Sequence, residues 1–370
     1  MTFSRLRSPW LLSAAGFSLA LGLSACGTST QQAPAPNAAS TGSAATSAPA
    51  PGGMAGSLKG AGATAPYPLY QKWFSDFGKT NNTQIGYESI GSGAGIKQFL
   101  AETVDFGATD SALKEDERSK FPVKRGKAIQ VPSTGLFVVF AYNLDGVANL
   151  KLSREAFCGI IDGSVKTWKD PKIAKDNAGV TLPDVPVTFV SRSDGSGTTS
   201  IFSKHIKKAC PTWALEPGKS VEWGVGIGAK GNEGVTAQIQ QTKGSIGYTE
   251  FSYAKENKLA MASVQNKGGE FIVPTPESAA KALAGVTIPE DFALSVPDPE
   301  AKDAYPIVSL TWLLFYENYP DQTKVDQIKN FMKWSAKDGK AAVTDLGYIP
   351  LPDEVSAKVL TAVDAIKVAK

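Results

Sequence analysis

An α/β fold is the class this sequence predicts, and three observations predict it. Residues 136–142 (LFVVFAY) and 185–190 (VPVTFV) are apolar runs of strand length, suited to buried strands. Tyr70, Trp73, Phe74 and Phe77 recur at helical spacing, as do Ile96, Phe99 and Leu100, so helices alternate with those strands. Short loops of Gly, Ser and Thr stand directly before three such helices. Ser153 is placed to cap a helix through Phe157 and Ile160, while Phe331, Met332 and Trp334 mark a late helix. A chain of 370 residues exceeds one small core and predicts about two domains.

Charge and composition exclude several function classes. Lys plus Arg is 38 and Asp plus Glu 35, a net charge of +3, too balanced for nucleic-acid binding by bulk charge. His205 is the single histidine, and Cys26, Cys158 and Cys210 are the three cysteines. Those counts argue against a histidine- or cysteine-built metal site and exclude acid–base chemistry that needs several histidines. No metal and no cofactor are expected.

The N-terminal segment falls outside the α/β pattern. Arg5 and Arg7 precede a mostly apolar stretch from Pro9 to Leu21, followed by Leu23-Ser24-Ala25-Cys26. This order reads as a secretory signal over residues 1–25, and its end resembles a bacterial lipobox. The resemblance implies cleavage before Cys26 and a lipid on its sulfur. A membrane-spanning anchor is the weaker reading, since a span needs about 18–20 apolar residues. Residues 26–57, rich in Ala, Ser, Thr, Pro and Gly and without charge, have too little apolar bulk to offset ordering entropy. They are expected to form a tether on the extracytoplasmic face of the membrane. Cys158 and Cys210 remain, in a compartment that permits disulfides. They form either a bridge, worth about 4 kcal/mol in the chain-entropy model, or two buried thiols.

The three glycine loops carry the chemistry. They are Gly60-Ala-Gly-Ala-Thr64-Ala65-Pro66, Gly91-Ser92-Gly93-Ala94-Gly95 and Arg192-Ser193-Asp194-Gly195-Ser196-Gly197-Thr198. Free N–H groups and partial positive charge gather at a helix start. Glycine admits an anion close to the backbone, and Ser or Thr adds a hydroxyl. Each loop alone is equally an N-cap and a turn; three together, one with Arg192, point to an oxyanion cradle. Asp110 is equally a helix cap or turn residue. Beside an anion it makes sense if the anion carries a proton, because the carboxylate then accepts a hydrogen bond from the P–OH and rejects an anion with none to donate. Gly226-Ile-Gly228-Ala-Lys-Gly231 matches GxGxxG, but the sequence offers no clear strand before it and no good helix after it, so a dinucleotide site is not expected. The segments around Lys79 and Lys219 lack the leading glycine of a phosphate-binding loop, Ser196 lacks the GxSxG context of a hydrolase, and His205 is expected at the surface or in packing.

At these residues the chain resembles the substrate-binding protein of the bacterial ABC-type phosphate transporter. The motifs are GAGAT at 60–64, IGSGAG at 90–95, TVDFGATD at 103–110, RSDGSGTT at 192–199, GAKGNEGV at 228–235, GSIGYTEFSYA at 244–254 and DLGYIPLP at 345–352. The resemblance implies a two-lobed periplasmic-binding-protein fold of type II, with two crossing segments as hinge and the ligand in the cleft. Lobe I would comprise residues 58–132 and 307–370, and lobe II residues 133–306. Carried over by motif, Thr64, Ala65 (through its N–H), Ser92, Asp110, Arg192, Ser196, Gly197 and Thr198 would hold phosphate, with Asp194 orienting Arg192. Ala65 departs from the pattern, since an aromatic often stands there. The GAKGNEGV loop is structural in this reading. Implied partners are inorganic phosphate and a membrane permease with its cytoplasmic ATPase. The protein is expected to be a lipid-anchored monomer with no enzymatic activity. The rivals are a binder of arsenate or sulfate, a phosphoryl hydrolase, and a phosphate-sensing lipoprotein without a permease.

Overall fold

Why the sheet runs as it does follows from its two most apolar strands. The computed structural model describes residues 57–369; the expected signal, Cys26 and all of the tether before Ser57 lie outside them. The first elements are β1 (Ser57–Gly62), α1 (Tyr67–Asn81), β2 (Gln84–Ser89), α2 (Ser92–Leu100), β3 (Phe106–Thr109), α3 (Glu115–Arg118), β4 (Ala128–Tyr142) and β5 (Lys151–Leu152). Next come α4 (Arg154–Asp162), α5 (Pro171–Ala174), β6 (Thr188–Arg192), α6 (Gly197–Ala209), β7 (Ile227–Ala229), α7 (Gly231–Gln241), β8 (Ser245–Glu250) and α8 (Phe251–Glu256). The short strands β9 (Ala260–Met261), β10 (Ser263–Gln265) and β11 (Phe271–Ile272) lead to α9 (Pro276–Leu283) and β12 (Val308–Tyr316). The chain ends with β13 (Asn318–Tyr319), α10 (Gln322–Ser335), α11 (Lys340–Leu346), α12 (Asp353–Asp364) and β14 (Lys367–Val368).

The main sheet has the order β2-β1-β3-β12-β4-β8-β6-β7, with β9 also on β4. β4 changes partners along its length. Ala128 to Phe137 pair with β12, and Val138 to Tyr142 pair with β8. One strand thus belongs to two half-sheets, the basis of a two-lobed body. β1 runs parallel to β2 and β3, and β6 runs parallel to β7 and β8. In each half the parallel strands point their carboxyl ends at the same edge, where α/β proteins build their sites.

The helical spacing read from the sequence is realised in α1, which buries Tyr70, Trp73, Phe74 and Phe77. Ser153 caps α4 by accepting from Ala156 N at 3.3 Å. The 136–142 run is the end of a longer strand, because β4 continues back through Pro132 to Ala128. Proline is tolerated there beside a register shift between Thr311 and Trp312. The 185–190 run is offset: β6 begins only at Thr188, after Pro186, which has no N–H for a ladder. Cys158 and Cys210 are joined by a disulfide, with Cα atoms 5.7 Å apart.

His205 lies in α6 as a packing residue, 1% exposed, with its ring 5.8 Å from that of Phe157. Among the described residues neither ring nitrogen has a hydrogen-bond partner, and Nδ1 is 3.9 Å from an Asp298 carboxylate that Arg154 holds at 3.0 and 2.6 Å. Burial pushes the imidazole down to about 4, against the pull of Asp298. An unfolded chain keeps this group near 6.5. The contribution of this one group to stability is therefore expected to be complete above 6.5 and to fall with pH down to about 4, by about 3 kcal/mol, opposite in sign to that of the buried carboxyls of Asp110 and Glu250. His205→Leu is expected to remove that contribution and so change the difference in stability between the two pH values. Urea unfolding at about pH 7.5 and about pH 4.5 checks this, and identical differences in both proteins would contradict it.

Candidate anion site between the lobes

Six loops follow the carboxyl ends of β1, β2, β3, β6, β7 and β8, and they deliver the site. Thr64 and Ala65 follow β1, Ser92 opens α2, Asp110 follows β3, Arg192 ends β6, and Ser196 to Thr198 open α6. Thr64, Ala65, Ser92, Asp110, Ser196 and Thr198 are all at most 2% exposed, and Arg192 is 6% exposed. The structure gathers these residues from both half-sheets. Gly93 N–H donates to Gly195 O at 2.7 Å across the junction, and Ser200 Oγ lies 3.3 Å from Ser111 Oγ. Lys219 pairs with Glu117 at 2.6 Å, while the Lys219 carbonyl accepts from Ser196 N at 2.7 Å.

Close approach explains one glycine in the site. A Cβ at Gly197 would stand 2.4 Å from Ser92 Oγ and 2.6 Å from Asp110 Cβ. Any side chain there would push the two halves apart. Gly95 serves the fold in the same way, since its Cβ would lie 2.2 Å from Gly62 Cα; α2 packs directly on the end of β1.

Arg192 is held as a fixed cation. Its Nε and Nη2 donate to the two oxygens of Asp194 at 2.7 and 2.6 Å, and Nη1 lies 3.3 Å from Thr198 Oγ1. Gly231 N–H adds a bond to Asp194 at 3.0 Å. Burial raises the Asp194 carboxyl, but the bonds and charge of Arg192 outweigh that and hold it below the usual range. A guanidinium has five N–H groups, so donors remain after these three bonds.

Asp110 is the carboxylate of the site. Its Oδ1 accepts from Thr311 Oγ1 at 2.8 Å, and its N–H donates to Ser92 Oγ at 3.1 Å. Burial pushes its carboxyl up to about 6, while the Thr311 bond, the Arg192 charge and Ser92 pull it back. It is therefore ionised at neutral pH. Glu250, also fully buried, differs. Burial carries it up to about 8, against the Ser252 bonds, so it stays mostly neutral and adds little repulsion toward an anion.

Hydroxyls and helix starts complete the lining. Ser196 Oγ accepts from Thr199 N at 3.0 Å as the cap of α6, and the N–H groups of Gly197 and Thr198 fall in the first turn, where no intrahelical acceptor exists. The Thr64–Ala65 loop is fixed by two tyrosines: Tyr253 Oη donates to Thr64 O at 2.6 Å and Tyr348 Oη to Ala65 O at 2.7 Å. The Thr64 carbonyl shares its peptide plane with the Ala65 N–H, so the Tyr253 bond fixes the direction of that N–H.

One reading of the sequence is corrected here. The GxGxxG segment does contain a strand, β7, and does open a helix, α7. The strand falls inside the motif rather than ahead of it, and only Val235 and Ile239 supply large apolar burial in α7, which hid the helix. The GAKGNEGV loop braces the site from within the protein, as a structural loop would. Asn232 is fully buried, and its Nδ2 reaches Thr64 Oγ1 at 2.7 Å and Thr198 Oγ1 at 3.2 Å. Sequence reasoning also missed Thr311, which no motif marks. For Asn232 the available signal was a glycine-flanked polar residue after a strand end, the same signal as in the other loops.

A two-lobed α/β body with a buried polar site between its lobes defines a class of ligand-binding protein, and residues 33–338 match the model of the PBP superfamily domain. A phosphate-binding protein PstS of Pasteurella multocida is 39% identical over 313 residues, covering 83% of this chain and 89% of the relative. One from Methanocaldococcus jannaschii is 37% identical over 336 residues, covering 84% and 86%. The chain belongs to the PstS family of phosphate-binding proteins. A structure of the high affinity periplasmic phosphate-binding protein PfluDING, bound with phosphate at pH 8.5, is similar with a TM-score of 0.71 and 25% identity, over 82% of this chain and 93% of that one. A putative phosphate ABC transporter substrate-binding protein from Clostridium perfringens shares the fold, with a TM-score of 0.59 at 19% identity, over 80% and 100%.

Proposed function

We propose that this protein captures inorganic phosphate outside the cytoplasmic membrane and delivers it to an ABC permease for import. It is a binding component and carries out no covalent chemistry. The observation that carries this reading is the pairing of one fixed cation, Arg192, with one buried carboxylate, Asp110, among hydroxyl and N–H donors from both lobes. Thr64, Ala65 N–H and Ser92 would hold the anion from lobe I, and Arg192, Ser196, Gly197 and Thr198 from lobe II, while Asp110 would accept a hydrogen bond from the P–OH group. Ligand then favours closure, because the two sets of donors meet only in the closed state.

Lobe I is taken as residues 58–132 with 307–370 and lobe II as 133–306, with β4 as one crossing and the chain entering β12 as the other. The partner change along β4 supports this division. An extracytoplasmic site agrees with the family, and attachment through a lipid on Cys26, as a monomer, completes the reading. Uptake of radiolabelled phosphate from micromolar medium tests it. A strain lacking the gene is expected to lose uptake and to regain it with the intact chain but not with a Cys26→Ala chain that is released. Unchanged uptake in the deletion strain would overturn the transport role.

A further inference from the structure

Thr64 and Thr198 carry hydroxyls that the sequence alone cannot orient, since a hydroxyl donates once and accepts twice. Their surroundings settle the direction. Glu250 N–H, which can only donate, bonds Asn232 Oδ1 at 2.9 Å, and Thr249 Oγ1 lies 3.1 Å from the same oxygen. The amide oxygen of Asn232 therefore faces β8, and its NH2 faces the two threonines. Nδ2 approaches Thr64 Oγ1 at 2.7 Å and Thr198 Oγ1 at 3.2 Å. Each threonine oxygen receives a second donor that cannot accept: Asn232 N–H on Thr64 at 3.3 Å, and Arg192 Nη1 on Thr198 at 3.3 Å. Both acceptor positions of each hydroxyl are then filled, and its proton must go elsewhere.

We infer that Asn232 is a positioning residue that turns the hydroxyl protons of Thr64 and Thr198 toward the bound oxyanion, and that its hold on Thr64 is made only when the lobes are closed. Thr64 belongs to the first half-sheet, Thr198 and Asn232 to the second, so the bond to Thr64 exists only while the halves meet. An array of hydroxyls free to accept would tolerate a neutral or cationic ligand. With both acceptor positions filled, these hydroxyls have only their protons left to offer, and Asp110 remains the place for the ligand's one proton. The inference rests on the phosphate reading above.

A mutant cycle read by phosphate affinity tests it. Asn232→Ala in the full protein is expected to weaken phosphate binding about tenfold or more. In a Thr64→Val, Thr198→Val background, which has no hydroxyls to orient, the same change should cost less than about twofold. Asn232→Asp keeps the oxygen that Thr249 and Glu250 use but removes the donors, so it preserves that framework; it should weaken binding at least as much as alanine. Losses that simply multiply across the cycle, or an Asn232→Asp protein that binds like wild type, would overturn the role of Asn232 while leaving phosphate binding intact. Wild-type protein that binds no phosphate would overturn both readings.

Discussion

Arg192→Ala is expected to weaken phosphate binding about a thousandfold, the largest loss of any single side chain in the site. In the proposed complex the guanidinium is the cation matched to the anion, and it is not free to be replaced by solvent, being 6% exposed. Charge-assisted hydrogen bonds contribute about 1.5–3 kcal/mol each, and two of them lost together correspond to two to four orders of magnitude, roughly. Removal also strands Asp194, which would then present an unpaired carboxylate near the ligand. Ser92→Ala removes one neutral hydroxyl and should cost only about tenfold. Equilibrium dialysis with labelled phosphate compares the two variants, and a smaller loss for Arg192→Ala than for Ser92→Ala would refute the assignment.

Asp110→Asn is expected to shift the sulfate-to-phosphate affinity ratio toward sulfate by at least about tenfold. The Asp110 carboxylate is buried and ionised at neutral pH, since its pKa stands at about 6. In the proposed complex it accepts a hydrogen bond from the P–OH of phosphate, whereas fully ionised sulfate has no proton to donate and would place anionic oxygen against anionic oxygen, at several kcal/mol. An amide of the same shape donates instead and removes the penalty. The pH dependence has a definite sign. Above about 6 the carboxylate is charged and rejects sulfate; as pH falls through about 6 it gains a proton, and the preference for phosphate narrows. The variant should lose that pH dependence. Competition calorimetry with both anions reads the ratio, and an unchanged ratio would remove Asp110 as the selector.

Much of the site was legible because its chemistry is local. Thr64, Ser92, Arg192 and Ser196 to Thr198 sit in short loops whose glycines and hydroxyls announce a helix start, and those signals need no long-range information. Thr311 was not legible, because it reaches Asp110 from 201 residues away through the pairing of β12 with β3. Nothing local distinguishes it from any other strand threonine. Asn232 sat in a segment with the same glycine signal, but the polar sequence of α7 and the absence of a side-chain cap at Lys230 concealed the helix start. The α/β class was legible from apolar runs, whereas strand ends were set by tertiary context: Pro186 delays β6, and Pro132 fails to break β4 because a register shift accommodates it.

The central claim is that two lobes close on an oxyanion chosen by its proton. Calorimetric titration of the purified protein with phosphate and with sulfate, at a pH of about 8 where Asp110 is ionised, tests it most directly. A single phosphate site is expected, at least about a thousandfold tighter than any sulfate binding. Equal affinity for the two anions, or tighter binding of sulfate, would contradict it.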